Sequence, residues 1–188
     1  MRFLPETIRP SFCGLLLGRK IGFAAKWYNF GMEDKTLREH LLALLKGGNA
    51  HMTLEEAVAD FPQDKINDIF PNGEYSSWHL LEHIRRTQND ILNFIINLNY
   101  QELSWPKDYW PARSEKATKK DWEKTINSFQ KDIQALEKLV ASPKTDLFAK
   151  IKWGDGQTIL REILLVADHN AYHIGELAIM RQTMDAWK

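Results

Sequence analysis

Apolar residues recur three and four positions apart along four long stretches of this chain, the period of a helix with one buried stripe. From Glu33 to Lys46 the stripe is Leu37, Leu41, Leu44 and Leu45, and Gly47-Gly48 closes the segment. A second helix is predicted from Ser76 or Ser77, either of which can cap it, to about Asn97. Its buried face is Leu80, Ile84, Thr87, Ile91, Phe94 and Ile95. Thr118 caps a third, with Asp121 suited to its N-terminus and Pro143 beyond its end. Trp122, Ile126, Phe129, Ile133, Leu136 and Val140 form its stripe, a narrow one of the kind found in bundles. The fourth runs from Thr158 to Arg181, with Ile159, Ile163, Val166, Asn170, His173, Leu177 and Met180 in phase.

The connections differ in character. Thr53 to Glu56 is a capping box that opens a short helix at Leu54, and Pro62 stops it. Residues 63–75 have no strong period and read as a long connection. Residues 100–113 are aromatic and proline-punctuated, with Trp105-Pro106 and Tyr109-Trp110-Pro111, and read as a packed wall over one end of the domain. A turn at Trp153-Gly-Asp-Gly156 leads into the last helix. Four amphipathic helices and no strand-rich region predict an all-α four-helix bundle with long connections.

Composition changes this picture at the N-terminus. Residues 1–31 hold five basic residues and one acid, and the apolar run Phe12–Leu17 is brief. No convincing small-residue cleavage site follows it. The expectation is that Met32 is the natural start, that residues 1–31 are a disordered or loosely packed extension, and that residues 32–188 are the domain. A basic organelle-targeting segment is the rival reading. Formal net charge is zero, so no basic excess points to nucleic acid. No apolar run reaches the roughly 20 residues of a membrane-spanning helix. The single cysteine, Cys13, excludes a disulfide within one chain and suits a reducing cytoplasm. Cysteine nucleophiles and cysteine metal ligands are excluded from the domain with it.

The chemistry concentrates on histidines. His169 and His173 lie four apart in the last helix, on one face, with Cβ atoms roughly 5–6 Å apart, so both can share a metal ion. Histidines four apart also arise by chance on many helices, and a third ligand from elsewhere is needed. His79 and His83 form a second such pair. His79 reads as an exposed first-turn residue. His83 lies deeper, where an unpartnered imidazole is costlier to bury. A bundle would bring His83 opposite His169 and His173. His40 reads as surface. Asp168 and Glu176 are candidate acceptors for an imidazole N–H or plain surface charges, with surface favoured for Asp168. Tyr172 and Trp153 either line a pocket or belong to the core. There is no glycine-rich phosphate loop and no nucleophile elbow.

The segments WHLLEHIRRTQNDIL and ADHNAYHIGEL resemble the two diagnostic stretches of the DinB-like superfamily of damage-inducible proteins. LREHLLALLKGGNAH and DYWP extend the resemblance from about Met32 to Trp187, and its closeness implies a bacterial branch. It implies a metal-binding four-helix bundle in which His83, His169 and His173 are the ligands, the LLEH placement selecting His83 over His79. It also implies homodimers. Members with known activity include thiol transferases that use low-molecular-weight thiols, isomerases and hydrolases, so a small electrophilic substrate is expected. Three histidines leave positions open for water or substrate, whereas a closed structural site needs a fourth protein ligand. Zinc or nickel suits an all-imidazole set. Such an ion lowers the pKa of a thiol or water and stabilises the anion. A non-catalytic metal-binding stress protein and a structural dimer with core histidines are the alternatives.

Overall fold

The computed structural model describes the backbone of residues 23–187 and the side chains of residues 31–187. These residues form five helices and no strand: α1 (Phe23–Lys46), α2 (Leu54–Val58), α3 (Ser77–Ile96), α4 (Lys119–Ala141) and α5 (Ile159–Thr183). Isolated bridges pair Ile69 with Ser76 and Lys150 with Thr158. The all-α expectation holds, with α1, α3, α4 and α5 as the long helices. The chain divides into two compact units between Asp34 and Lys35, and the apolar clusters and the site described below lie in the second. Residues 1–22, including Cys13 and the run Phe12–Leu17, lie outside the described residues.

α1 starts at Phe23, ten residues before the expected Glu33. Gly31 falls inside this helix, whereas the sequence reading set residues 1–31 apart as an extension. One interior glycine costs only about 1 kcal/mol relative to alanine, too little to end a helix with good formers on both sides. Leu44 was expected in the buried stripe and is 43% exposed. Leu41 and Leu45 take the core face, and Leu44 turns to the rim of a groove between α4 and α5.

The helix starts follow the predicted chemistry. The side chains of Thr53, Ser76, Thr118 and Thr158 accept from the backbone N–H of the third helical residue of α2, α3, α4 and α5 respectively. At the other end of α4, Arg38 donates to the carbonyls of Val140 (2.7 Å), Ser142 (2.9 Å) and Thr145 (2.8 Å). A cation there satisfies carbonyls that the helix leaves without partners and suits the negative end of its dipole.

Two apolar clusters fill the bundle. One joins Leu54, Phe61 and Ile66 to Leu80, Ile84, Trp122, Phe129 and Leu177. The other joins Leu41 and Leu45 to Ile91, Ile95, Leu136, Val140, Ile163 and Val166. Gln88, 1% exposed, is a polar joint in the middle of α3: its amide donates to the Phe129 carbonyl (2.9 Å) and accepts from Asn170 (2.7 Å). Three helices are thereby held in one axial register.

Arg38→Ala should lower stability by about 1–3 kcal/mol, because part-buried carbonyls lose charged donors. Lys35→Ala, which removes only a 3.7 Å ion pair with Glu39 between exposed side chains, should change it by under about 0.5 kcal/mol. Urea denaturation followed by helicity measures both.

Candidate metal centre

The site grows from one face of α3. His79, His83, Arg86 and Asp90 recur at helical spacing, and each holds part of the 100–113 loop. His79 Nε2 pairs with the Ala112 carbonyl (3.2 Å) and His83 Nδ1 with the Tyr109 carbonyl (3.1 Å). Arg86 donates to the Trp110 carbonyl (3.0 Å), and Asp90 accepts from the hydroxyls of Tyr109 (2.7 Å) and Tyr100 (3.0 Å). Buried Glu82 accepts from Arg85 and Arg86, which outweigh the burial that opposes its charge and hold its carboxyl below the usual range. The loop so fixed lays the Trp110 indole flat on His83, with centroids 3.8 Å apart and planes 5° from parallel.

α5 supplies the other two imidazoles from one face. His169 Nε2 lies 3.2 Å from His83 Nε2. His173 sits edge-on to both rings, 4.9 Å from His83 and 4.5 Å from His169 between centroids. One nitrogen of each of the three falls within 4.8 Å of the others, and no further His, Cys, Asp or Glu joins the group among the described residues. His173 Nδ1 donates to Glu176 Oε2 (2.8 Å), and the Tyr75 hydroxyl donates to Glu176 Oε1. His169 Nδ1 is buried without a partner.

Protonation follows from these surroundings. Burial pushes the His83 imidazole down to about 4, with the neighbouring His173 adding to it and the Tyr109 carbonyl opposing it. Burial, then His173 and His83, brings His169 down to about 4 as well. Burial works against the Glu176 charge, but the donors His173 and Tyr75 outweigh it and keep the carboxyl below its ordinary range. His83 and His169 are thereby held neutral at neutral pH, the state in which ring nitrogens can ligate.

The donor set fits one divalent ion. With Nδ1–H committed to a carbonyl in His83 and to a carboxylate in His173, the free lone pair is on Nε2 in both. Two imidazole nitrogens at ~2.0–2.1 Å from one tetrahedral ion lie roughly 3.3 Å apart, close to the 3.2 Å between His83 and His169. The sequence profile of the DinB superfamily matches residues 49–177, more than half of the chain and all three histidines. The chain belongs to the DinB superfamily. Searches of curated proteins and of solved structures return no match.

For this DinB superfamily member the structure brings together His83, His169 and His173, the three positions expected from sequence, in a cluster compatible with metal binding. His79 departs from expectation. It is 5% exposed, and its Nδ1 accepts from the Ser76 backbone N–H (3.1 Å) as the third residue of a capping box. The reading of His79 as surface overlooked that its imidazole fills the place usually held by Glu or Gln. Asp168 and His40 are exposed, and Glu176 is an imidazole acceptor. Tyr172 stands beside His173 with 71% exposure, while Trp153 belongs to the other end of the bundle and donates to the Phe94 carbonyl. Sequence reading missed Tyr75, Tyr109 and Trp110 as individual parts of the site. The available signal was the polar series His79, His83, Arg86 and Asp90 along one face of α3.

Metal-free protein should lose stability on acidification. His83 and His169 titrate near 4 when folded and near ~6.5 when unfolded. Between those values the unfolded chain binds more protons, so their contribution is complete above the unfolded value and is lost as pH falls toward the folded one. Chelator-treated His83→Gln/His169→Gln protein should show a shallower fall across that window, measured by urea titration at several pH values.

Proposed function

We propose that His83, His169 and His173 hold one divalent ion, zinc or nickel, and that the chain is a metal-dependent enzyme of thiol-transferase or hydrolase type. The supporting observation is the 3.2 Å approach of two imidazole nitrogens with no fourth protein ligand among the described residues. A bound ion would act as a Lewis acid, making a low-molecular-weight thiol or a water more acidic and so a better nucleophile toward a small electrophile. The chain's own groups do the rest. Tyr109 and Glu176 orient the imidazoles, and Trp110 covers one face of His83 and keeps water from that side. Substrate approaches past His169 and His173, the less buried pair. Trp105, edge-on to His83 at 6.3 Å and 68% exposed, and Tyr172 stand at the rim. The proposal includes a cytoplasmic homodimer, and among the described residues no helix is long and apolar enough to cross a membrane. Exposed Leu164 and Ile179 on α5 offer apolar area for pairing, which sedimentation analysis tests.

Purified protein should carry one metal ion per chain by elemental analysis. His83→Ala, His169→Ala and His173→Ala should each remove most of it, whereas His79→Ala should lower the melting temperature and leave it. Chelation should lower the melting temperature without abolishing helicity, since neither apolar cluster contains the ion's ligands. Activity toward thiol-reactive electrophiles or hydrolysable esters should vanish with the metal and return with zinc or nickel. Metal-free purified protein whose melting temperature ignores chelator would sink the proposal. Metal without either activity would leave a non-catalytic metal-binding protein.

A further inference from the structure

We infer that Tyr75 is a positioning residue of the metal centre, acting through Glu176 on His173; this rests on the metal-binding reading above. Tyr75 immediately precedes Ser76, the residue that caps α3 and bridges to Ile69, so its backbone is fixed where α3 begins. Its ring packs on Phe70 (centroids 6.2 Å) and on Trp110 (4.9 Å), the indole that lies on His83. Its hydroxyl donates to Glu176 Oε1, and Glu176 Oε2 accepts from His173 Nδ1 at 2.8 Å.

A glutamate three residues along a helix from a histidine is a loose partner by itself. Its side chain has rotamer freedom worth up to about 1.5–2 kcal/mol, and a carboxylate is also a good metal ligand. Left free, Glu176 can turn away from His173 or swing toward the ion and close an open position. With both oxygens occupied it does neither: Oε2 is aimed at His173, and Oε1 is held back by Tyr75. Tyr75 thus keeps the His173 proton on Nδ1 and the lone pair on Nε2. Partners of this kind change metal affinity by about 10–100-fold when lost.

The test uses the full chain, stripped of metal and titrated with zinc against a chromophoric chelator. Tyr75→Phe keeps the ring contacts and removes only the hydroxyl. It should weaken zinc binding about ten-fold, while Phe148→Leu, at an exposed ring on the connection between α4 and α5, leaves it unchanged. Glu176→Gln should weaken binding at least as much, and adding Tyr75→Phe to it should cause no further loss, because Tyr75 acts only through the carboxylate. Long-range ¹H–¹⁵N NMR of the zinc-free protein should report His173 as the Nδ1–H tautomer in wild type and as a mixture in Tyr75→Phe. The wild-type spectrum alone keeps the inference testable if the variant does not fold: a wild-type His173 with its proton on Nε2 overturns it. Unchanged affinity and an unchanged tautomer in Tyr75→Phe also overturn it and leave the metal reading standing. Failure of wild type to bind zinc removes both.

Discussion

An imidazole buried in a helical bundle has two ring nitrogens, one a donor and one an acceptor, and both need partners in a medium that supplies few. The upper half of this molecule is arranged around that requirement. His83 is 3% exposed; its donor reaches a loop carbonyl, and its acceptor nitrogen faces another histidine. The face of α3 that carries it also carries the groups that fix the loop. Removing the loop would strip the donor partner, the stacked indole and the cover from one residue at once. A connection without secondary structure is therefore as much a part of the centre as the helices are.

The lower half does different work. Leu41, Leu136, Val140 and Ile163 make an apolar cluster without titratable members, and Arg38 secures the end of α4. Between the halves, Gln88 ties α3 to the α4 backbone and to Asn170 on α5. A slide of α5 along α3 would break this joint and misalign the histidines together. Asn170 sits one residue from His169, so the register that satisfies the amide also sets the imidazole opposite His83. Asn170 also lines a groove of about 340 Å³ on the side of α5 turned away from the histidines. One helix thus faces a cavity on one side and the centre on the other.

Most of the architecture was legible in the sequence because it depends on local rules. Stripes at helical period, threonine and serine caps, and the histidine pair on α5 each declare themselves within a few residues. His83 was separable from His79 only through resemblance to the DinB superfamily and depth along the helix. The failures share a cause. His79 looked like surface because a first-turn position is usually exposed, and nothing local shows that Ala112 will approach it. Leu44 fitted a stripe that a small rotation about the helix axis moves off the core. Tyr75, Tyr109 and Trp110 lie in stretches without period, where partners are set by tertiary approach across 26 residues from His83 to Tyr109 and 101 from Tyr75 to Glu176. Pattern reading has no purchase there.

The indole stacked on His83 has an optical consequence. A tryptophan in face-to-face contact with an imidazole senses that ring's charge, since a cation over the π-face perturbs the excited indole. Trp110 lies 3.8 Å from His83, with its backbone pinned by Arg86. The fluorophore is thus built into the histidine cluster, in a fixed orientation and at contact distance. A change in the charge of His83 would alter the emission of Trp110, one of seven tryptophans in the chain, and no label is needed to read it.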